Sequence, residues 1–352
     1  MSRPGPLARA VIGAPMAGGV STPALVAAVS DAGGLGFLAA GYLRPADLAG
    51  DIDRVRRATT GPFGVNVFVP ESRPADLAAV DRFRQALLPQ AARWGVTLPD
   101  PPEWDTDHFA EKIEVVLAAR VPVVSFTFGC PPRAVVDRLH THGSQVVVTV
   151  TDVAEAQLAV AAGADALCVQ SSRAGGHRAS FTPDVRPDPQ PDTAELVGAV
   201  RRAVAVPLIA AGGITGPAEI DAVVAAGASA VQVGTALLLT PQAGTHPVHR
   251  AALTDPGRAG TVVTRAFSGR PARGLRNRFI DAFDTLAPAA YPQVHHLTRP
   301  LRVAAAARGD AEQMALWAGV GHHLARPEPA GQVVTRLAAA VAAATPLRPA
   351  SH

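Results

Sequence analysis

Cysteine is nearly absent from this chain of 352 residues, which has only Cys130 and Cys168. Two thiols in apolar or proline-rich surroundings exclude a disulfide framework and read as buried free thiols, which suits a reducing cytoplasm. Lysine is scarcer still: of the 32 basic residues only Lys112 is one, and a GC-rich coding bias accounts for the excess of arginine without any function. No block of five basic residues occurs, and a net charge of +3 is small for this length, so nucleic acid is not an expected partner despite a pI near 9.4. Arg54, Arg56 and Arg57 read as a solvated helix face. No stretch reaches about 18 uninterrupted apolar residues, and the N-terminus lacks the charged-then-apolar order of a signal peptide. The expectation is a cytoplasmic protein that meets neither membrane nor nucleic acid.

With 48% hydrophobic and 17% charged residues, the chain is rich enough in apolar side chains to fold around a large core. Short apolar runs alternate with alanine-rich amphipathic segments, the pattern of a parallel α/β fold. Strands are expected near 10–12, 34–39, 63–68, 122–127, 145–150, 166–170, 207–211 and 230–233, each followed by a helical pattern such as 23–31, 132–142 and 217–226. Pro23 and Pro217 stand where a first-turn proline is tolerated. Ala-Ala-Gly-Ala-Asp-Ala at 161–166 returns as Ala-Ala-Gly-Ala-Ser-Ala at 225–230, an echo of one β/α unit. Eight such units predict a (β/α)8 TIM barrel over 1–240. A doubly wound sheet is disfavoured, because Gly33-Gly34-Leu35-Gly36 precedes a strand instead of linking a strand to a helix. Beyond Thr240 the rhythm stops. Residues 241–309 read as a helical cap inserted after strand eight, with helices near 247–253 and 276–286 and no clear strand, and 310–352 as C-terminal helix packing on the barrel.

Chemistry in a barrel of this type sits at the C-terminal ends of its strands. After strand six comes Gln170-Ser171-Ser172-Arg173-Ala174-Gly175-Gly176-His177, where the glycine pair permits close backbone approach to a ligand and His177 offers a group that titrates near neutrality. Strands seven and eight run into Gly212-Gly213 and into Gln232-Val233-Gly234-Thr235, the places where this fold holds phosphate on exposed N–H groups. After strand one, Pro15 and Met16 suit an extended loop along a flat ligand, and Asn66 in strand three suits a ring edge. FMN combines a terminal phosphate with such a ring.

Gly13-Ala-Pro-Met-Ala-Gly, Phe63-Gly-Val-Asn66-Val-Phe, Val124-Ser-Phe-Thr-Phe-Gly129, Gln170 with Ala174-Gly-Gly-His177, Ala210-Ala-Gly212-Gly-Ile and Gln232-Val-Gly-Thr235 resemble the nitronate monooxygenases, formerly called 2-nitropropane dioxygenases. The resemblance runs in order from about residue 10 to 240, and more loosely to Trp317-Ala-Gly319. It implies FMN binding at Asn66, Gln170, Gly175, Gly212 and Gln232 to Thr235, with Met16 beside the ring. Family members often carry a glutamate near the position of Arg173, a departure that bears on substrate detail.

The resemblance further implies oxidation of an alkyl nitronate, propionate 3-nitronate being common, by O2 to a carbonyl compound and nitrite. The expected partners are thus a small nitronate and O2, and the chain is compatible with a homodimer. A nitronate is already deprotonated, so His177 is expected first to orient it, and to act as base only for neutral nitroalkanes. An arginine from the cap suits a substrate carboxylate, with Arg273, Arg276 and Tyr291 as candidates there.

His246 and His249, three residues apart, lack an evident third metal ligand and read as a solvated face, so no metal is expected. Cys130 reads as structural. The rival enzyme is an FMN-dependent enoyl-acyl-carrier-protein reductase using NAD(P)H. An IMP dehydrogenase-like reading lacks its nucleophile, since Ser171 and Ser172 occupy the loop where a cysteine is required. A non-catalytic barrel binding a phosphorylated metabolite is the reading from another class.

Overall fold

The computed structural model describes residues 5–183, 191–258 and 260–345. The first half of the barrel comprises β1 (Val11–Gly13), α1 (Pro23–Asp31), β2 (Gly36–Ala39), α2 (Pro45–Ala58), β3 (Phe63–Phe68), α3 (Leu77–Trp94), α4 (Phe109–Ala118), β4 (Val123–Thr127) and α5 (Arg133–Thr141). Then follow β5 (Gln145–Val150), α6 (Val153–Ala161), β6 (Ala166–Gln170), β7 (Gly176–His177), α7 (Thr193–Ala203), β8 (Leu208–Ala211), α8 (Pro217–Ala225) and β9 (Ala230–Val233). The remainder holds α9 (Pro247–Thr254), β10 (Thr261–Thr264), β11 (Ala272–Leu275), α10 (Arg278–Phe283), α11 (Gln293–Ala307) and α12 (Ala330–Ala344).

Eight parallel strands pair in the order β1-β9-β8-β6-β5-β4-β3-β2. The ring closes through the Ile12–Leu35 bridge, where the Gly13 N–H donates to the Leu35 carbonyl and the Leu35 N–H to the Val11 carbonyl, both at 3.0 Å. This is the expected (β/α)8 barrel. Its strands are buried on both faces, as valine-rich parallel strands must be when helices cover them. Ile12, Leu35, Phe37, Val123, Val147, Cys168 and Ile209 fill the interior. A larger layer, including Val26, Ile52, Val65, Val148, Leu196 and Val223, joins the barrel to its helices.

Local signals set the helix starts. Thr22 caps α1 by accepting from the Leu25 N–H at 3.0 Å ahead of Pro23. Asp192 and Glu195 form a reciprocal capping box on α7. The C-terminal α12 buries Val333, Val334, Leu337 and Val341 against α8 and α1, which places it on the barrel wall.

The expectation that 241–309 contains no strand is corrected. There, β10 and β11 pair antiparallel, and β11 also pairs with β7, so that Ala272 faces His177. Four-residue strands, one of them Ala-Arg-Gly-Leu, are too short and too polar to reveal a two-residue alternation. This small sheet is specified by its pairing partners. The cap core likewise draws on a distant segment: Val80, Phe83 and Leu87 of α3 pack with Phe267, Phe279, Val294 and Leu297. The connection between β3 and β4 therefore contributes one helix to the barrel wall, α4, and one, α3, to the layer above its mouth.

Candidate active site

A cavity of about 720 Å³ opens at the C-terminal ends of the barrel strands, a size that suits a cofactor together with a small substrate. Pro15, Met16, Asn66, Gln170, Gly175, Gly176, His177, Gly212, Gly213, Gln232, Val233, Gly234 and Thr235 all line it. The sequence-predicted residues thus converge on one space. Arg273 and Arg276 do not belong to it. Arg273 donates to the Ser172 carbonyl at 2.7 Å, and Arg276 pairs with Asp281 on the surface. Tyr291 stands behind the lining and donates its hydroxyl to that of Tyr42 at 3.1 Å.

At the corner formed by the loops after β8 and β9, the N–H groups of Gly213, Gly234 and Thr235 donate to no acceptor among the described residues. Free N–H groups on two adjacent loops suit an anion. The Gly212 carbonyl is held from the other side by the Thr193 hydroxyl at 2.6 Å, and Thr193 in turn meets Ser171 Oγ at 2.7 Å. The residues 316–320 strap this corner, with the Gly319 N–H on Thr235 Oγ1 at 2.9 Å and the Val320 N–H on the Arg173 carbonyl at 3.2 Å. The strap lies so close that a Cβ on Gly175 would stand 2.5 Å from the Gly319 nitrogen.

Asn66 donates both amide protons along the barrel rim, to Ser125 Oγ and Thr127 Oγ1 at 2.9 Å each, which leaves its carbonyl oxygen to accept from a ligand. Gln170 is largely committed to the chain itself. Its Nε2 donates to the His177 carbonyl at 3.1 Å and its Oε1 accepts from the Ala179 N–H at 2.9 Å, pinning the segment that carries His177.

His177 is thereby fixed at both backbone and ring. Its Nε2 meets Ser268 Oγ at 2.8 Å. Ser268 Oγ also reaches the Arg270 carbonyl at 3.2 Å, and the tautomer with the ring proton on Nε2, which leaves Nδ1 its lone pair, satisfies both contacts. Burial first, then the nearby charges of Arg270 and Arg302, push the His177 pKa down to about 3. The ring is neutral at ordinary pH, so it serves as an acceptor of protons and not as a resident cation.

Sequence reasoning named Tyr291 but missed the roles of much of the surrounding wall. Phe128 and Tyr42 both line the cavity with left-handed backbone, φ 76° and 68°, a conformation that aromatic residues adopt only under constraint. The Phe128, Tyr291 and Trp317 rings stand within 5.8 Å of the His177 ring, centre to centre. Arg270 is fully buried with its guanidinium 4.2 Å from the centre of the Phe128 ring. His295 stacks on Tyr42 at 4.2 Å. The solvated-face reading of the 246/249 pair is corrected for His249, which is buried and lines the cavity, whereas His246 caps α9. Among the described residues no cluster suits a metal ion.

The lining contains Arg299, Arg302, Arg326 and Arg336 and no aspartate or glutamate, so the cavity favours anions. Cys168 lies inside the barrel, its thiol pushed up to about 12 by burial, and Cys130 is pushed up to about 11 for the same reason; neither is a nucleophile.

Three histidines with depressed pKa values give the fold a signed pH dependence. Burial lowers His177 to about 3, His249 to about 4 and His295 well below its ordinary value. Between those values and about 6.5 the unfolded chain binds protons that the folded one refuses. These three groups therefore contribute stability that is present above pH 6.5 and lost as pH falls, at most about 1.4 kcal/mol per pH unit for each. A thermal midpoint that fails to drop between pH 7 and pH 5, or that keeps its slope in a His249→Gln variant, would refute this account.

A sequence profile described as nitronate monooxygenase matches residues 7–340. The chain belongs to the nitronate monooxygenase family. It is an oxidoreductase, and the family's activity is nitronate oxidation. A probable nitronate monooxygenase from Staphylococcus aureus (strain MSSA476) is 37% identical over 329 residues, covering 93% of this chain and 92% of that protein. Among solved structures, a nitroalkane oxidase from Streptomyces ansochromogenes superposes with a TM-score of 0.91 at 49% identity, covering 97% of this chain and 96% of that one. FabK from Thermotoga maritima superposes less closely, with a TM-score of 0.72 at 28% identity over 95% of this chain and 93% of its own. No helix among the described residues is long and apolar enough to cross a membrane.

Proposed function

We propose that the protein is an FMN-dependent nitronate monooxygenase that oxidises alkyl nitronates such as propionate 3-nitronate, and also neutral nitroalkanes, with O2 to a carbonyl compound and nitrite. The observation that carries the reading is the pairing, across one cavity, of free N–H groups at Gly213, Gly234 and Thr235 with a neutral His177 held by Ser268. FMN fits the residues present: the glycine corner takes its phosphate, Pro15 and Met16 its flat ring, and the Asn66 carbonyl oxygen a ring N–H. When bound, it supplies the two-electron acceptor that links substrate oxidation to O2.

The chain's own residues do the rest. The acid-free, arginine-bearing lining draws in the anionic nitronate. Phe128, Tyr291 and Trp317 wall off water around His177. For a neutral nitroalkane, Nδ1 takes the proton on the carbon next to the nitro group, while Ser268 holds the ring by Nε2. The likeness to a nitroalkane oxidase supports this base role for His177 ahead of the orienting one.

The test is an absorbance spectrum of the purified protein, followed by propionate 3-nitronate under air with nitrite and oxygen recorded. Yellow protein that releases nitrite and consumes oxygen without NAD(P)H is the expected result. Yellow protein inert to nitronates but oxidising NAD(P)H with crotonyl thioesters would make it the enoyl-acyl-carrier-protein reductase. Colourless protein that cannot be reconstituted with FMN would end the flavin reading.

A further inference from the structure

We propose that Arg302 is a specificity-determining residue, the anion-binding end of an elongated substrate channel that selects nitro compounds and nitronates bearing a carboxylate at the far end of the chain. This deepens the nitronate reading and rests on it. Along α11, His295, Arg299, Arg302, Val303 and Ala306 all line the cavity. Their spacing puts them on one helical face. That face runs for about 16 Å at the helical rise per residue, far longer than a small nitroalkane.

Arg302 is held as a recognition group is held. Its Nε donates to Thr298 Oγ1 at 3.3 Å, and its Nη2 donates to the His295 carbonyl at 3.1 Å and to His295 Nδ1 at 3.3 Å. His295 accepts because burial keeps it neutral. The two N–H groups on Nη1 have no protein acceptor among the described residues, although the residue lines the cavity. No carboxylate pairs with Arg302 among those residues, and none lines the cavity. Burial brings its pKa down to about 10, so it remains a cation without an internal counter-ion. A part-buried cation with two free donors and no counter-ion is stabilised by an incoming carboxylate.

Aromatic rings line the path between the two ends. The His295 ring, the Tyr42 ring stacked on it, and Tyr291, whose ring centre is 5.8 Å from that of His177, link Arg302 to His177. A ligand that reaches both ends lays its methylenes against Tyr42 and His295, with its nitro group at His177 and its carboxylate at Nη1.

The experiment uses the flavin-loaded enzyme and two chain-matched series of preformed nitronates, with and without a terminal carboxylate, from three to eight carbons. In the wild type, kcat/KM for the carboxylates is expected to exceed that of the matched alkyl nitronates by tenfold to hundredfold at the chain lengths that span both ends, mostly through KM. In Arg302→Met that ratio falls to near one, and Arg302→Lys restores part of it. Equal kcat/KM for matched pairs in the wild type, or an unchanged ratio in Arg302→Met, would overturn the assignment even with nitronate oxidation intact. If no nitronate of either series is oxidised, the nitronate reading itself fails, and calorimetry with hexanoate then decides for Arg302 alone. Binding lost in Arg302→Met but kept in Arg302→Lys supports the subsite, and equal binding by all three proteins overturns it. Arg299→Met, altered at an exposed neighbour on the same face, guards against misfolding and is expected to lower the ratio only a few-fold.

Discussion

The His177→Asn enzyme is expected to keep its flavin, to lose a hundredfold to ten-thousandfold of its turnover on neutral nitroalkanes, and to lose less than about tenfold on the corresponding preformed nitronates. Asparagine can still hydrogen-bond to Ser268, so the β7–β11 pairing and the glycine corner, which lies elsewhere on the mouth, stay intact. What it cannot do is accept a proton. A base with a pKa near 3 looks too weak for carbon acids, but its value has specific causes: burial, and the charges of Arg270 and Arg302. As the nitronate forms, its negative charge offsets both arginines and favours the imidazolium, so basicity rises as the proton moves. The measurement is kcat/KM for one nitroalkane and its preformed nitronate in both enzymes. Equal losses on the two would assign His177 to orientation, and full nitroalkane activity would remove it from the chemistry altogether.

What the sequence revealed and what it hid divide along a physical line. The eight barrel strands were legible because each is a buried apolar run whose identity depends on its own residues, as in Val146-Val147-Val148 of β5. The glycine corners were legible because loops after β8 and β9 are fixed by the barrel's own geometry. The role of Ser268 was not, since nothing in Phe267-Ser268-Gly269 announces that its hydroxyl will meet a histidine 91 residues away. Arg302 was hidden for a similar reason. Several arginines occupy the region above the barrel mouth, and only the placement of α11 decides that Arg302 enters the cavity while Arg273 and Arg276 bind carbonyl and carboxylate groups outside it. Helix α3 shows the same limit, because an amphipathic helix does not say which layer its apolar face will join.

Gly212→Ala is expected to yield protein that is purified largely without flavin and binds added FMN at least a hundredfold more weakly. At this position φ is 101°, which an L-residue adopts only at a cost of about 1–2 kcal/mol. The added Cβ would also stand 2.6 Å from Ser171 Oγ and 2.9 Å from the Ala174 nitrogen. Neither neighbour is free to yield. Ser171 is tied to Thr193, which itself holds the Gly212 carbonyl, and the Ala174 backbone leads directly into Gly175, which already lies against Ala318 and Gly319 with no room for a methyl group. Relief must come from moving the 212–213 turn, and with it the free Gly213 N–H that we propose serves the phosphate. A displacement of even 1 Å breaks charge-assisted hydrogen bonds of about 1.5–3 kcal/mol each. Gly260→Ala is the control, since a Cβ there meets nothing within 4 Å. Titration of apoprotein with FMN, followed by flavin fluorescence, reads the effect. Unchanged affinity in Gly212→Ala would place the phosphate away from the β8 loop and leave the N–H groups of Gly234 and Thr235 to hold it from the β9 side.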